Sequence, residues 1–104
     1  PRKSHPKRRA AFSAFSSAKF ALRAVAQSMA RELGPQGIHV AHFVIDGAID
    51  TAFIKEMFPD TYALKEKDGI LQPDSIADAY WFVHTQHRSS WTHELDLRPY
   101  MEKF

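Results

Sequence analysis

Phe15 and Lys19 lie four residues apart in the segment Ala14-Phe-Ser-Ser-Ala-Lys19, at the start of a long apolar pattern. Residues at this spacing stack on one face of a helix, so both side chains can serve a single ligand. A lysine ammonium donates hydrogen bonds and carries charge, whereas a phenylalanine ring has no proton to give. The plainer interpretation is that Phe15 is a core residue and Lys19 is solvated.

A second group of candidate residues follows the most strand-like part of the sequence, in Asp46-Gly-Ala-Ile-Asp-Thr51. Gly47 would allow a ligand to approach the backbone closely, because it has no Cβ atom. An ordinary turn from strand to helix, with Asp50 or Thr51 as the helix cap, explains the same residues equally well on local sequence.

The six histidines raise the question of a metal site. His84 and His87 lie three apart on a predicted helix, where they could share an ion. His39 and His42 would point to opposite faces of a strand, and the chain has no cysteine to complete a zinc site. We therefore interpret the histidines as surface or hydrogen-bonded core residues and expect no bound metal.

The first element that must position these groups is a long helix. Its apolar residues recur at spacings of three or four, which is typical of one helical stripe. They are Phe15, Ala18, Leu22, Val25, Met29 and Leu33. Ser13 is the predicted N-cap, and Gly34-Pro35 is the predicted end of the helix.

The rest of the chain predicts a parallel pair of strands joined through helices. Residues 38–45 are apolar and β-branched, which is typical of an interior strand, and residues 50–67 favour one or two short helices. Pro73 opens a second clear helix that continues to His87. Residues 92–97 alternate in polarity and predict a half-buried edge strand. This order implies a right-handed crossover, one slice of a doubly wound α/β sheet.

Composition places the chain among soluble globular proteins. Of its 104 residues, 44% are hydrophobic and 25% are charged, which suits one small domain. With no cysteine and no apolar run near the ~20 residues that span a bilayer, we expect a cytoplasmic protein without a membrane segment. Residues 1–9 predict a flexible basic arm, and residues 10–104 carry nine basic against twelve acidic residues, a net charge of −3. This acidic body does not favour nucleic-acid binding.

Three separated signals give the chain a family resemblance. The Phe15/Lys19 segment, the run Arg31-Glu-Leu-Gly-Pro-Gln-Gly-Ile-His-Val40 and the residues 46–51 occur in the order and at the spacing of the short-chain dehydrogenase/reductase family. That family has Tyr-x-x-x-Lys on its active-site helix, a Gly-x-x-Val strand and a Pro-Gly-x-Ile-x-Thr loop. The resemblance covers about residues 10 to 98.

The resemblance implies an NAD- or NADP-dependent oxidoreductase that acts on a small carbonyl or alcohol. Lys19 would bind the nicotinamide ribose, and Gly47, Ile49 and Thr51 would bind the cofactor. Phe15 occupies the position of the catalytic tyrosine and cannot donate a proton. Asp46 replaces the family's usual proline, which leaves the stiffness of this loop open.

The implied fold is the C-terminal portion of a Rossmann-like doubly wound parallel sheet, formed by residues 10–104. The four glycines of the chain form no glycine-rich phosphate loop, so we expect the N-terminal dinucleotide-binding half to be absent. The family's catalytic serine has no counterpart that we can assign, since Ser4 lies in the basic arm. We therefore expect this chain to be catalytically silent by itself.

Two other interpretations remain open. The chain could be a non-catalytic interaction module in which the active-site helix forms a homo-oligomer, as in the subunit interfaces of the family. Alternatively, the abrupt change of composition at Ala10 would also arise if the coding region had been delimited incorrectly.

Overall fold

The structure, a computed structural model, describes residues 6–103, and of residues 6–12 it describes the backbone alone. The chain divides between Val40 and Ala41 into two compact units. None of the helices in residues 6–103 is long and apolar enough to cross a membrane.

The first unit contains the long helix α1, Pro6–Leu33. It ends at the predicted signal, where a 3₁₀ turn, Gly34–Gln36, follows. Gly37 then adopts the left-handed conformation with φ of 85° and donates its N–H to the Gly34 carbonyl. The predicted end of the helix is therefore confirmed.

The start of α1 differs from the prediction. Ser13 lies inside the helix, so the prediction that it is the N-cap is wrong. Proline is well tolerated in the first turn of a helix, and the Lys, Arg and Ala residues that follow Pro6 are strong helix formers. Residues 6–9 of the predicted arm are consequently helical, and residues 1–5 lie outside the described part of the chain.

The second unit is built on two parallel strands, β1 (His42–Ile45) and β2 (Glu94–Leu97). Their register pairs His42 with Glu94 and Ile45 with Leu97. The parallel pairing confirms the prediction, although both strands are shorter than expected. The ladder begins where the His42 N–H donates to the His93 carbonyl at 2.7 Å, and residues 38–41 form no strand.

Three helices connect these strands: α2 (Ala52–Met57), α3 (Pro59–Tyr62) and α4 (Pro73–His84). The 3₁₀ turn Ala63–Lys67 follows α3 directly. Helix α4 ends three residues before the predicted His87, because the Thr85 hydroxyl donates to the Trp81 carbonyl at 2.9 Å and so caps the last turn.

The packing of the second unit centres on a few side chains of β1, α4 and the segment before α4. The ring of Phe43 on β1 stacks on Tyr80 of α4, with ring centroids 3.7 Å apart. Ile70 and Val83 are buried. These contacts fix α4 on one face of the strand pair, as expected for an α/β crossover.

Val83→Ala tests this packing, because Val83 is 3% exposed and its neighbour Phe82 is 63% exposed. Removing two buried methyl groups should lower the free energy of unfolding by about 2 kcal/mol. Phe82→Ala, the matched control on the same helix, should change it by less than about 0.5 kcal/mol. Urea denaturation followed by near-UV circular dichroism measures both, and equal losses would contradict the assigned core.

Candidate functional site

The structure places Phe15 and Lys19 on one face of α1, as their spacing predicts. The Lys19 ammonium nitrogen lies 5.3 Å from the centroid of the Phe15 ring, within the range of a cation–π contact. The Phe15 side chain is 61% exposed, so it is not the core residue of the plainer interpretation. An ammonium group therefore lies beside a ring that has no hydroxyl.

The segment Asp46–Thr51, here named the β1 loop, lies in the second unit and begins directly after β1. The Asp46 N–H donates to the Leu97 carbonyl at 2.9 Å, which extends the strand ladder by one residue. The Asp46 carboxylate forms an ion pair with Arg98, with Nη2 and Oδ2 2.7 Å apart. The segment after β2 therefore holds the start of the β1 loop.

Gly47 has a packing role that the sequence did not reveal. Its φ of 144° is a conformation that side chains disfavour, and a Cβ atom built there would lie 2.9 Å from Cδ of Pro99. Pro99 is itself buried. The absent side chain at Gly47 therefore makes room for Pro99.

Ile49 lies at the middle of the β1 loop and forms an isolated parallel bridge with Leu71. The Leu71 N–H donates to the Ala48 carbonyl at 2.7 Å, and the Asp50 N–H donates to the Leu71 carbonyl at 2.8 Å. Peptide groups of successive residues in extended backbone point in opposite directions. The N–H and C=O of Ile49 itself therefore point away from Leu71. They form a hydrogen-bond donor and an acceptor next to each other on that side of the β1 loop.

Thr51 ends the β1 loop as the N-cap of α2. Its backbone is extended, and its side-chain oxygen accepts a hydrogen bond from the Ile54 N–H at 3.3 Å. The expectation that this turn has a cap at Asp50 or Thr51 is confirmed for Thr51. Because the hydroxyl accepts in this bond, its own proton can still be donated to a ligand.

Asp50 pairs with a residue that local sequence patterns did not single out. The ammonium of Lys65 lies 2.9 Å from Asp50 Oδ2 and donates to the Tyr62 hydroxyl at 3.4 Å. The hydrogen bond to Asp50 raises the pKa of Lys65 above its ordinary 10.5. Since folding raises this pKa, the resulting stabilisation is present below pH 10.5 and is lost as the pH rises through the folded-state value.

The histidines take structural partners in the described part of the chain. His42 Nδ1 lies 3.4 Å from a Glu94 carboxylate oxygen, its register neighbour across the strand pair. His87 Nδ1 accepts from the Ser89 N–H at 3.1 Å. Within residues 6–103, no group of three His, Asp or Glu side chains is placed to hold a metal ion.

The structure thus brings Phe15 and Lys19 together on α1 in the first unit, and places Gly47, Ile49 and Thr51 on the β1 loop in the second. Sequence reasoning missed Arg98, Pro99 and Lys65, which contact this loop. The register of the structure brings Arg98 to Asp46, since Arg98 follows β2 as Asp46 follows β1, and this register is not contained in the sequence around either residue.

Gly47→Ala should lower the free energy of unfolding by about 2–4 kcal/mol, because it adds both a disfavoured backbone conformation and a contact with Pro99. Gly37→Ala separates these effects, since Gly37 also has positive φ but no atom lies within 4 Å of the place where its Cβ would be. This variant should lower the free energy of unfolding by about 1 kcal/mol. Gly34→Ala, with neither feature, should cost nothing. Urea denaturation measures the free energy of unfolding of all three variants. A Gly47 variant as stable as the Gly37 variant would contradict the Pro99 contact.

Comparison with known proteins gives one informative likeness. No protein-family model and no curated protein matches the chain. A solved structure, a short-chain dehydrogenase from Rhodopseudomonas palustris, is similar with 45% sequence identity and a TM-score of 0.55, over 86% of this chain and 31% of that one. The chain spans about a third of the length of that protein. The chain therefore has a partial Rossmann-like α/β fold, and it is similar over most of its length to part of a short-chain dehydrogenase.

Proposed function

We propose that this chain supplies the active-site helix and the nicotinamide-binding loop of an NAD- or NADP-dependent oxidoreductase of the short-chain dehydrogenase/reductase type. The observation that carries this proposal is the high sequence identity with a solved short-chain dehydrogenase over most of the chain. The bound cofactor would supply hydride exchange with a small carbonyl or alcohol substrate, and the residues of this chain would bind and orient.

The β1 loop has groups that fit a nicotinamide. A carboxamide presents one acceptor oxygen and an NH2 donor side by side, and it pairs well with a neighbouring backbone N–H and C=O. Ile49 offers such a pair on the side away from Leu71. The Thr51 hydroxyl, which keeps a proton to donate after capping α2, suits the adjacent phosphate.

Lys19 is proposed to bind the hydroxyl groups of the nicotinamide ribose. Its side chain is exposed, and an ammonium has three hydrogen-bond donors. The contact with the Phe15 ring orients this ammonium without using those donors in an ion pair. Lys19 therefore keeps the ribose-binding role that the family resemblance assigns to it.

Phe15 cannot take the proton-transfer role that the family resemblance assigns to the tyrosine position. In place of a tyrosine hydroxyl it presents an apolar ring, and losing a general acid costs about 10²- to 10⁴-fold in rate. We therefore propose that the chain by itself binds weakly to nicotinamide compounds and does not catalyse carbonyl reduction.

Thr51 gives a sharp test of the β1 loop with reduced nicotinamide mononucleotide as the probe. Ser and Asp both cap helices, so Thr51→Ser and Thr51→Asp should leave α2 intact. The Asp variant places a negative charge beside the probe's phosphate and should weaken binding about tenfold or more, whereas the Ser variant should bind like the original chain. Titration followed by the amide resonance of Ile49 measures both affinities.

Lys19→Met should weaken contact of the same probe with α1 about tenfold, read from the amide resonance of residue 19, with Lys103→Met, at an exposed lysine near the carboxyl end, as the matched control. Neither the original chain nor Phe15→Tyr should oxidise reduced nicotinamide cofactors with carbonyl substrates. If the probe leaves the Ile49 amide unchanged at millimolar concentration, the proposed function is wrong. Turnover by the original chain would contradict the proposed catalytic silence.

A second candidate function, a helix-pairing module, is favoured by the exposed apolar stripe of α1. From Phe15 to Met29 the apolar residues alternate at spacings of three and four, which is the spacing of the a and d positions in a coiled-coil seam. The described structure leaves large side chains of this stripe exposed: Phe15, Leu22, Val25 and Met29. A second copy of α1 packed along this seam would remove them from water.

Leu22→Asp tests the pairing, with Phe20→Asp as the control, because Phe20 is also apolar and exposed, at 68% against 53% for Leu22, but lies off the seam. If α1 pairs through the seam, the original chain and the Phe20 variant should sediment as dimers and the Leu22 variant as a monomer. Sedimentation velocity at several concentrations measures the association. A monomeric original chain at 100 micromolar, roughly the range of a weak interface, would exclude this module.

A further inference from the structure

We propose that Arg98 is a positioning residue for the β1 loop and that it acts through Asp46 to hold the Ile49 donor and acceptor in their binding orientation. This inference rests on the proposed function, because it concerns the same loop. It assigns a role to a residue that has no place in the motifs from which the site was predicted.

The strand register brings Arg98 to Asp46. Val44 is paired with Asp96 and Ile45 with Leu97, so the next neighbours along the two parallel strands are Asp46 and Arg98. Neighbouring strands lie about 4.8 Å apart, and register neighbours project side chains on the same face. A long cationic side chain and a short carboxylate can therefore meet directly across the strand ends.

The contact between these two residues is short and partly shielded from water. Arg98 Nη2 lies 2.7 Å from Asp46 Oδ2 and 3.2 Å from Asp96 Oδ2, and the Arg98 side chain is only 18% exposed. A charge-assisted hydrogen bond at this distance is stronger than an ordinary surface ion pair. The shorter bond identifies Asp46 as the principal partner among the two carboxylates.

Asp46 also makes a main-chain contact that a proline could not make. Its N–H donates to the Leu97 carbonyl, and proline has no N–H. The related family pattern has proline at this position, where a ring restricts the backbone. In this chain the backbone bond to Leu97 and the side-chain bond to Arg98 together restrict the same residue.

The β1 loop is held from both sides of Ile49. Asp46 and Gly47 contact Arg98 and Pro99 at one end, and the Ala48 carbonyl and Asp50 N–H bond to Leu71 at the other. Loss of the Arg98 contact would loosen the first end, where the backbone bond to Leu97 and the contact with Pro99 remain, while Leu71 still holds the second. The Ile49 peptide groups would then sample more orientations, which lowers affinity for a rigid ligand.

The experiment compares Arg98→Met, Asp46→Asn and the double variant in the ligand-free chain. Met preserves the apolar stem of arginine, and Asn preserves both the shape of aspartate and its backbone N–H. Amide hydrogen exchange of residue 46, whose N–H donates to the Leu97 carbonyl, should accelerate about tenfold in each single variant, as for loss of one charge-assisted bond. The double variant should exchange no faster than either single variant, because both remove the same contact.

Two controls separate positioning from general destabilisation. Asp96→Asn removes the weaker partner of Arg98, and Arg88→Met removes an exposed arginine elsewhere, so neither should accelerate exchange in the loop. Exchange in α4 should stay unchanged in every variant. In the same variants, binding of reduced nicotinamide mononucleotide should weaken about tenfold for Arg98→Met and Asp46→Asn and remain unchanged for Asp96→Asn.

Unchanged exchange at the residue 46 amide in Asp46→Asn, or equal acceleration there and in α4, would overturn the role of Arg98. A double variant that exchanges faster than both single variants would also overturn it. The exchange measurement needs no ligand, so it decides this inference even if the original chain fails to bind the probe. That failure would refute the proposed function separately.

Discussion

The parallel pairing of β1 with β2 is the constraint on which the second unit depends. Carboxyl ends of parallel strands lie at the same edge of a sheet, so the residues that follow the two strands must become neighbours. The register that pairs Ile45 with Leu97 brings Asp46 beside Arg98 and Gly47 beside Pro99. A slip by one residue would point these side chains to the opposite face and separate the ion pair.

Under the proposed function, binding and proton transfer would place different demands on the residues of this chain. Orientation of a carboxamide needs only backbone groups held in place, which Ile49 can provide for almost any side chain. Proton transfer would need one hydroxyl at one position, and the phenylalanine at position 15 has none. The shape of the β1 loop therefore does not depend on which residue occupies position 15, because none of the loop contacts named above involves Phe15.

Much of the fold could be predicted because its signals are local. Gly34-Pro35 ends α1 since glycine and proline disfavour continuation of a helix, and Thr51 caps α2 since its hydroxyl reaches a free N–H. The predicted start of α1 was wrong because a basic segment that contains proline resembles a loop by composition. Proline nevertheless suits the first turn of a helix. The length of a strand depends on which of its backbone groups find hydrogen-bond partners on the neighbouring strand. The sequence of one strand alone does not specify those partners.

The supporting residues of the β1 loop were missed for a related physical reason. Arg98 and Lys65 are long polar side chains, whose ordinary place is a solvated surface, and nothing in their neighbours along the chain marks a distant partner. Their roles arise from contacts across 52 and 15 residues of sequence, with Asp46 and Asp50 respectively. The replacement of a proline by Asp46 was visible in the sequence, but its compensation was not. An aspartate has both an N–H and a carboxylate, so it can form two bonds across the strand pair, whereas a proline ring restricts one torsion of its own backbone. This loop therefore depends on β2 more than a proline-containing loop would.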